Sequence, residues 1–274
     1  MSDLYREIIG IYGVPRSGTS WLGTIIDSSP DVVYRYQPLF SYRFKSRIQF
    51  ESTNEDIGAF FEELYCENND SFLNQTLERE SGKYPIFEKN TNKGILAYKE
   101  VRYLYTIPLL LKRVPDIRII GIIRNPYDVI QSWINAPKEF SDNWQILDEW
   151  YFGQSKNEWR PENYYGYAKW KEYIKLVETM KNEFPDTFMV VRYEDLSSNT
   201  NEVVKEIFEF SNIQYTAQTE QFIKESTSKT VSDAYAVYRD HKKQKSSKNI
   251  LPPIVYDKIQ QDLITFETAR QFGY

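Results

Sequence analysis

The sequence is poor in the two residue types that most often bind transition metals. It contains one cysteine, Cys66, and one histidine, His241, among 274 residues. One cysteine cannot form an internal disulfide, which favours a reducing, cytoplasmic compartment. A cluster of cysteine and histidine ligands is excluded as well, so the sequence predicts no metal site of that kind.

Long apolar runs and net positive charge are also missing. No stretch approaches the roughly 18 consecutive apolar residues of a membrane-spanning helix, and residues 1–18 lack the pattern of a secretion signal. The formal net charge is −5, whereas broad nucleic-acid binding requires a basic surface. We therefore expect a soluble protein with no membrane span and no nucleic-acid partner. This charge still permits a small basic pocket for an anion.

The chain alternates apolar runs with amphipathic segments. Strands are predicted over Glu7–Tyr12, Val32–Tyr36, 95–101, Ile117–Ile123 and 187–193. Helices are predicted over Thr19–Asp27, 54–67, 71–80, 103–113, 126–135, 164–184, 200–211 and 253–271. No linker divides the sequence. The alternation predicts one α/β domain over residues 1–274, a three-layer, P-loop-type fold with a central, mainly parallel sheet flanked by helices.

The loop after the first strand has the spacing of a nucleotide-binding P-loop. Residues 13–20 read GVPRSGTS, with two glycines four residues apart and a helix start directly after them. Glycines let the backbone approach an anion, and the free amides of a helix N-terminus point at it. The alternative is an ordinary strand-to-helix turn that requires glycine. The loop favours a phosphate site.

Two departures decide which phosphate chemistry this loop supports. Thr19 stands where a nucleoside triphosphatase has lysine, and the cation of the loop is Arg16. The strand IRIIGII ends at Arg124, where such enzymes place an aspartate for magnesium. Arg124 suits an anion, and Ser132, eight residues later, can donate to the same group. The alternative interpretation of Arg124 is a surface salt bridge. The pattern as a whole predicts two anion sites with no metal between them.

These segments resemble the sulfotransferase family. GVPRSGTSWLGTIIDSSPDV is similar to its 5'-phosphosulfate loop and helix, and RIIGIIRNPYDVIQSW to its 3'-phosphate strand and helix. VVRYEDLSSN resembles a third family segment, and the ending RQFGY is similar to that of bacterial and carbohydrate-type members. The resemblance implies a sulfonate donor, 3'-phosphoadenosine-5'-phosphosulfate (PAPS), with adenosine 3',5'-bisphosphate (PAP) as product and no metal. It also implies a small-molecule or glycan acceptor, whose identity the sequence does not give.

The resemblance carries specific residues with it. The 5'-phosphosulfate would be held by Arg16, Ser17, Gly18, Thr19 and Ser20. The remaining nucleotide contacts would be Trp21 near the adenine, Arg124 and Ser132 at the 3'-phosphate, Tyr193 beside the nucleotide, and a basic closing loop with Arg239, Lys242 and Lys243. Arg16 would also act in catalysis, because leaving-group charge develops beside its loop.

The proton acceptor is the position at which the sequence departs from the family. Carbohydrate-type members often have glutamate where this chain has Gln37, and an amide cannot accept a proton as a base. Glu100 and Lys99 in the strand ILAYKEV are replacements on position alone, and Glu100 is the predicted base. The alternative interpretation is that Glu100 is a structural carboxylate that pairs with Arg102 or another cation. The rival functions are an atypical P-loop kinase or NTPase and a non-catalytic nucleotide-binding protein.

Overall fold

The computed structural model describes residues 4–229, 235, 237, 238 and 250–274. Its centre is a sheet of five parallel strands in the order β2-β3-β1-β4-β5. The strands are β1 (Glu7–Tyr12), β2 (Val32–Tyr36), β3 (Ile95–Glu100), β4 (Ile117–Ile123) and β5 (Phe188–Arg192). Most of their side chains are buried, as expected of a parallel sheet that is covered on both faces.

Helices surround this sheet and connect its strands. In chain order they are α1 (Thr19–Asp27), α2 (Asn54–Cys66), α3 (Ser71–Asn74), α4 (Thr76–Glu80), α5 (Ile107–Arg113), α6 (Pro126–Ile134), α7 (Ile146–Glu149), α8 (Gln154–Asn157), α9 (Tyr167–Glu183), α10 (Tyr193–Ser198), α11 (Thr200–Phe210), α12 (Ala217–Ser228), α13 (Pro253–Thr265) and α14 (Glu267–Gln271). Short 3₁₀ turns occupy Pro38–Phe40 and Leu104–Thr106. No helix in these described ranges is long and apolar enough to cross a membrane.

Two hydrophobic cores lie on opposite faces of the sheet. One contains Trp133 of α6, Trp170 of α9 and Val255 of α13. The other contains Leu22 of α1 and Ile207 of α11. Alternate residues of β1 and β4 supply the two cores, because successive side chains of a strand point to opposite faces. This arrangement confirms the predicted α/β fold with a central parallel sheet.

The order of the strands fixes where a ligand can bind. β1 lies between β3 and β4, so the connections that leave β1 and β4 turn away from each other at the carboxyl ends of the strands. A crevice opens at such a point in an open α/β sheet, and polar residues that follow the strands face it. The loop 13–20, the residues after Glu100 and the segment after Ile123 all meet at this edge.

Candidate active site at the carboxyl edge of the sheet

The loop 13–20, the predicted anion site, lies between β1 and α1. Arg16 and Gly18 both have left-handed backbone conformations, with φ of 73° and 97°. Successive backbone N–H groups converge in such turns and favour a negatively charged ligand. A Cβ at Gly18 would lie 2.5 Å from the Tyr193 ring, so both the backbone angle and the close packing require glycine here.

Two buried polar atoms show that this region suits an anion. Ser17 is fully buried in the loop, and its Oγ has no hydrogen-bond partner among the described residues. The Nε of Arg124 is likewise buried without a partner in the described part of the chain. Buried donors are costly when unpaired and usually indicate a missing ligand or water. The donor set fits the phosphates of a nucleotide.

The segment after β4 brings the second anion motif to the first. The Asn125 side chain accepts a hydrogen bond from the Tyr127 N–H, and Pro126 occupies the first turn, so α6 begins directly after Arg124. Arg124 Nη1 donates to the Arg16 carbonyl at 3.0 Å, and Arg16 Nε donates to Ser132 Oγ at 3.1 Å. The two motifs, more than 100 residues apart in sequence, therefore form one site.

Tyr193 and Trp21 form an aromatic wall beside these arginines. The guanidinium carbon of Arg124 lies 4.2 Å from the centre of the Tyr193 ring, and Trp21 meets the same ring edge-on at 6.2 Å. Trp21 is fixed by its Nε1, which donates to Ser226 Oγ of α12 at 3.0 Å. Rings held in this way offer apolar surface for a purine base.

The chain terminus supports the same wall. Glu194, next to Tyr193, accepts hydrogen bonds from the Asn125 N–H and from the Tyr274 hydroxyl, at 2.8 Å and 2.9 Å. The last residue of the chain is thereby tied to the segment that carries Arg124. The RQFGY ending thus has a structural reason to accompany the anion motifs.

A cavity of about 330 Å³ opens over the loop. Most of the predicted site residues line it, namely Arg16, Gly18, Thr19, Ser20, Trp21, Arg124, Ser132 and Tyr193. Ser17 lies buried beneath the loop, and the predicted Arg239 lies outside the described residues. No group of three or more His, Cys, Asp or Glu side chains in the described ranges could hold a metal ion.

Lys99 is the cation that completes the loop. It lies near the end of β3, is 2% exposed, and places its Nζ 3.0 Å from Ser20 Oγ and 3.5 Å from Thr19 Oγ1. The Nζ also lies 4.3 Å from the centre of the Tyr36 ring. From the sequence, Lys99 was a second candidate for the missing base, after Glu100, and was not assigned to the loop. Its position gives it direct access to a group bound by the loop.

Glu100 points away from the cavity. It is fully buried, does not line the cavity, and accepts the Leu39 N–H on Oε1 at 2.7 Å. Its Oε2 has no partner in the described chain, and no ion pair joins it to Arg102. Burial raises the pKa of Glu100 to about 8, opposed by the Leu39 N–H, Lys99 and Arg102. The predicted role of Glu100 as base stays a prediction, while its contact with Leu39 shows that it holds the Gln37–Leu39 turn.

The other lining residues include aromatic, amide and charged side chains: Tyr36, Gln37, Phe40, Phe72, Gln75, Glu78, Lys83, Tyr84, Arg102, Lys138, Glu139, Tyr165 and Tyr235. Of these, the sequence had singled out only Gln37, as the position of the family's glutamate, and Arg102, as a cation near Glu100. Glu139 follows α6, and its Oε2 accepts a hydrogen bond from the Tyr165 hydroxyl. The Nζ of Lys156 lies 3.1 Å from the same oxygen. The one sequence feature that could have indicated Glu139 is its position shortly after the second anion motif, RIIGIIRNPYDVIQSW.

Comparison with known proteins agrees with this geometry. A family model described as a sulfotransferase domain matches residues 7–273. The chain is 25% identical over 224 residues to carbohydrate sulfotransferase 3 of Mus musculus, covering 78% of this chain but only 45% of that protein. A mouse sulfotransferase solved with PAP, SULT7A1, superposes with a TM-score of 0.56 at 17% identity, covering 94% of this chain and 83% of the other. A sulfotransferase from Alicyclobacillus acidocaldarius superposes with a TM-score of 0.56 at 15% sequence identity. This match covers 95% of this chain and 92% of the other.

Proposed function

The chain belongs to the sulfotransferase family, and we propose that its cavity binds PAPS and an acceptor for transfer of a sulfonate group. The observation that carries this proposal is the direct linkage of the two anion motifs through Arg16, Arg124 and Ser132. A donor with an anionic group at each end of its ribose requires two such sites side by side. The structure of mouse SULT7A1 contains PAP, the product that such a donor leaves.

The loop 13–20 is the proposed site for the 5'-phosphosulfate. Its backbone amides, Ser17 Oγ and the side chains of Thr19 and Ser20 supply neutral donors, and Lys99 and Arg16 supply positive charge. When bound, PAPS supplies a sulfonate whose bond to the 5'-phosphate breaks as the acceptor oxygen or nitrogen bonds to sulfur. Lys99 and Arg16 are placed to stabilise the negative charge on the departing phosphate, in a site whose donors are already oriented.

Arg124 and Ser132 are the proposed site for the 3'-phosphate. The planar guanidinium of Arg124 is held by the Arg16 carbonyl and the Tyr193 ring, and its buried Nε is left for a ligand. An oriented guanidinium can bind a phosphate with two parallel hydrogen bonds. Trp21 and Tyr193 would then flank the adenine.

Two glutamates compete for the proton that the acceptor loses. Glu100, the prediction from the sequence, has its pKa raised to about 8 by burial, so it is mainly protonated at neutral pH. Glu139 lines the cavity, and its Oε2 takes both the Tyr165 hydroxyl and the Lys156 ammonium group, which leaves Oε1 without a described partner. A base must reach the proton before its pKa matters. We propose Glu139 as the proton acceptor if the acceptor binds against this wall, and Glu100 if the Gln37–Leu39 turn opens.

The acceptor side of the cavity combines rings with hydrogen-bonding groups. Gln37 is 8% exposed, has a left-handed backbone with φ of 44°, and its side-chain amide has no protein partner in the described chain. Such an amide can orient an acceptor hydroxyl without removing its proton. These features suit a small-molecule or glycan acceptor.

A transfer assay tests the proposed function. The protein is incubated with ³⁵S-labelled PAPS and pooled sugars, phenols and peptides, and in parallel with γ-³²P-labelled ATP and magnesium. Label transferred from PAPS alone supports a sulfotransferase. Phosphate transfer from ATP would support the kinase alternative, and PAP binding with no transfer from either donor would support a non-catalytic nucleotide-binding protein.

A further inference from the structure

Arg102 is a fixed cation in the cavity that the donor chemistry leaves unused. Its Nη1 donates to the Asn163 side-chain oxygen at 2.6 Å, and its guanidinium carbon lies 4.1 Å from the centre of the Phe40 ring. Asn163 is itself 3% exposed and donates to the Asn157 carbonyl. One edge of the guanidinium is therefore held by a buried amide and one face by a ring, which leaves the other nitrogens available.

No acidic side chain in the described part of the chain forms an ion pair with Arg102. Most arginines of this protein have a carboxylate within 4.0 Å, as Arg79 has with Asp27 and Arg118 with Glu7. Arg102 has none among the described residues. A partly buried arginine that has no carboxylate partner keeps its charge available for an anionic ligand. The two carboxylates that line the cavity, Glu78 and Glu139, form no ion pair with Arg102, and Glu139 is paired with Lys156.

The position of Arg102 separates it from the nucleotide arginines. Arg124 follows β4 and Arg16 follows β1, whereas Arg102 follows β3 on the other side of β1. Adjacent strands are about 4.8 Å apart, so β3 and β4 lie roughly 10 Å apart across β1. Arg102 also contacts Phe40, which belongs to the turn after β2, the edge strand farther still from Arg124. This places Arg102 on the part of the wall that an acceptor would touch.

We propose that Arg102 binds an oxyanion of the acceptor, so that the acceptor of this enzyme is itself an anion. A carboxylate or sulfate group would accept two hydrogen bonds from the free edge of the guanidinium, and the ring carbons next to it would pack against Phe40 and Phe72. Lys138, an exposed residue that also lines the cavity, adds positive charge. Arg102 is then a residue that determines specificity, and the inference rests on the proposed sulfonate transfer.

Matched pairs of small molecules test this proposal without knowledge of the natural acceptor. Binding of glucuronate, glucose 6-sulfate and glucose, and of 4-hydroxybenzoate and 4-hydroxybenzyl alcohol, is measured by NMR titration with the free and the PAP-loaded protein. We expect each anion to bind at least 10-fold more tightly than its neutral partner. Glucuronate and glucose 6-sulfate distinguish a carboxylate from a sulfate as the preferred group.

Three variants assign the preference to Arg102. Arg102→Gln should abolish it and leave PAP affinity within about 2-fold, while Arg102→Lys should retain part of it because the charge stays but the paired donors are lost. Arg160→Gln removes an equal charge from an exposed pair with Glu158 and should change nothing. Equal binding of anions and neutral partners, including no binding of either, would overturn the proposal, as would a preference that survives in Arg102→Gln. A protein that fails to bind PAP contradicts the proposed function instead, and the free protein still reports on Arg102.

Discussion

The Nζ of Lys99 lies 3.0 Å from the Oγ of Ser20, so a lysine from β3 enters the anion loop that follows β1. Nucleotide P-loops place their lysine inside the loop itself, directly after the second glycine, and this chain has Thr19 there. Lys99 also lies 3.5 Å from Thr19 Oγ1. The loop thus receives from a neighbouring strand the charge that its own sequence lacks at that position.

Replacing Lys99 should impair the chemistry more than the binding. Lys99→Met keeps the length of the side chain and removes the charge beside the proposed position of the leaving phosphate. We expect turnover to fall by about 10²–10³-fold, the usual scale for loss of one group that stabilises developing charge, with PAP affinity reduced far less. Steady-state rates with labelled PAPS and calorimetry with PAP measure the two effects. Lys112→Met, at the exposed end of α5, is the matched control. Equal losses in rate and affinity would assign Lys99 to ground-state binding.

Arg124 should determine the affinity for the 3'-phosphate. Arg124→Ala removes a desolvated, charge-assisted contact, and we expect PAP binding to weaken by about 2–4 kcal/mol. AMP, which lacks the 3'-phosphate, should bind the variant and the wild-type protein almost equally. Arg118→Ala in the same strand removes an arginine paired with Glu7 and should leave PAP binding unchanged. Calorimetry that shows the same loss for AMP and PAP would place Arg124 elsewhere on the nucleotide.

The two candidate bases can be separated by conservative substitutions. Glu139→Gln removes proton acceptance at the cavity wall and should lower turnover by about 10²-fold, the common scale for loss of a general base. Glu100→Gln can still accept the Leu39 N–H on its amide oxygen, so it should preserve the Gln37–Leu39 turn and most of the activity. The pH–rate profile should change in shape for the responsible residue alone. A large loss in Glu100→Gln with normal activity in Glu139→Gln would return the role to Glu100.

Glu100 should also make stability depend on pH. Its folded pKa of about 8 lies above the ordinary value of 4.5, because burial disfavours the charged form. The native state therefore holds the proton more tightly than the unfolded chain. The stabilising contribution is complete below pH 4.5 and is lost as the pH rises through about 8, by up to about 1.4 kcal/mol per pH unit between these limits.

Glu100→Gln should remove this dependence. Chemical denaturation of both proteins between pH 5 and pH 9 should show the variant gaining stability relative to the wild type as the pH rises. Glu88→Gln, an exposed residue in the loop before β3, controls for loss of a carboxylate. A constant difference between Glu100→Gln and the wild type across this range would mean that Glu100 is ionised throughout.

Local patterns predicted the sheet well because its strands are short, apolar and bounded by breakers. β1, β2 and β4 have the predicted limits, and β3 ends one residue early at Glu100. The predicted helix 71–80 is instead two helices, α3 and α4, since Gln75 adopts a left-handed backbone with φ of 54°. Glutamine gives no sequence signal for that conformation. α12 was missed because half of its buried residues are polar, among them Thr219 and Ser226, which obscures the helical period.

The site was predictable where its residues are contiguous and hidden where they are not. Arg16, Thr19 and Ser20 follow one strand, and Arg124 and Ser132 another, so two short motifs indicated the nucleotide site. The contacts of Lys99 with Ser20, of Glu139 with Tyr165 and of Arg102 with Phe40 join distant segments through the fold. No local pattern specifies such pairs. The alternation of strand side chains explains why Lys99 faces the loop and Glu100 does not.

Calorimetric titration of the wild-type protein with PAP, AMP and ATP, with and without magnesium, tests the central claim most directly. The joined sites at Arg16, Ser132 and Arg124 should bind PAP without magnesium and at least about 30-fold more tightly than AMP, the factor that corresponds to the lower limit of 2 kcal/mol for the 3'-phosphate contact. ATP should bind weakly, and magnesium should not improve it. Equal affinities for PAP and AMP, or tight binding of ATP that requires magnesium, would contradict a site built for a 3'-phosphorylated sulfonate donor.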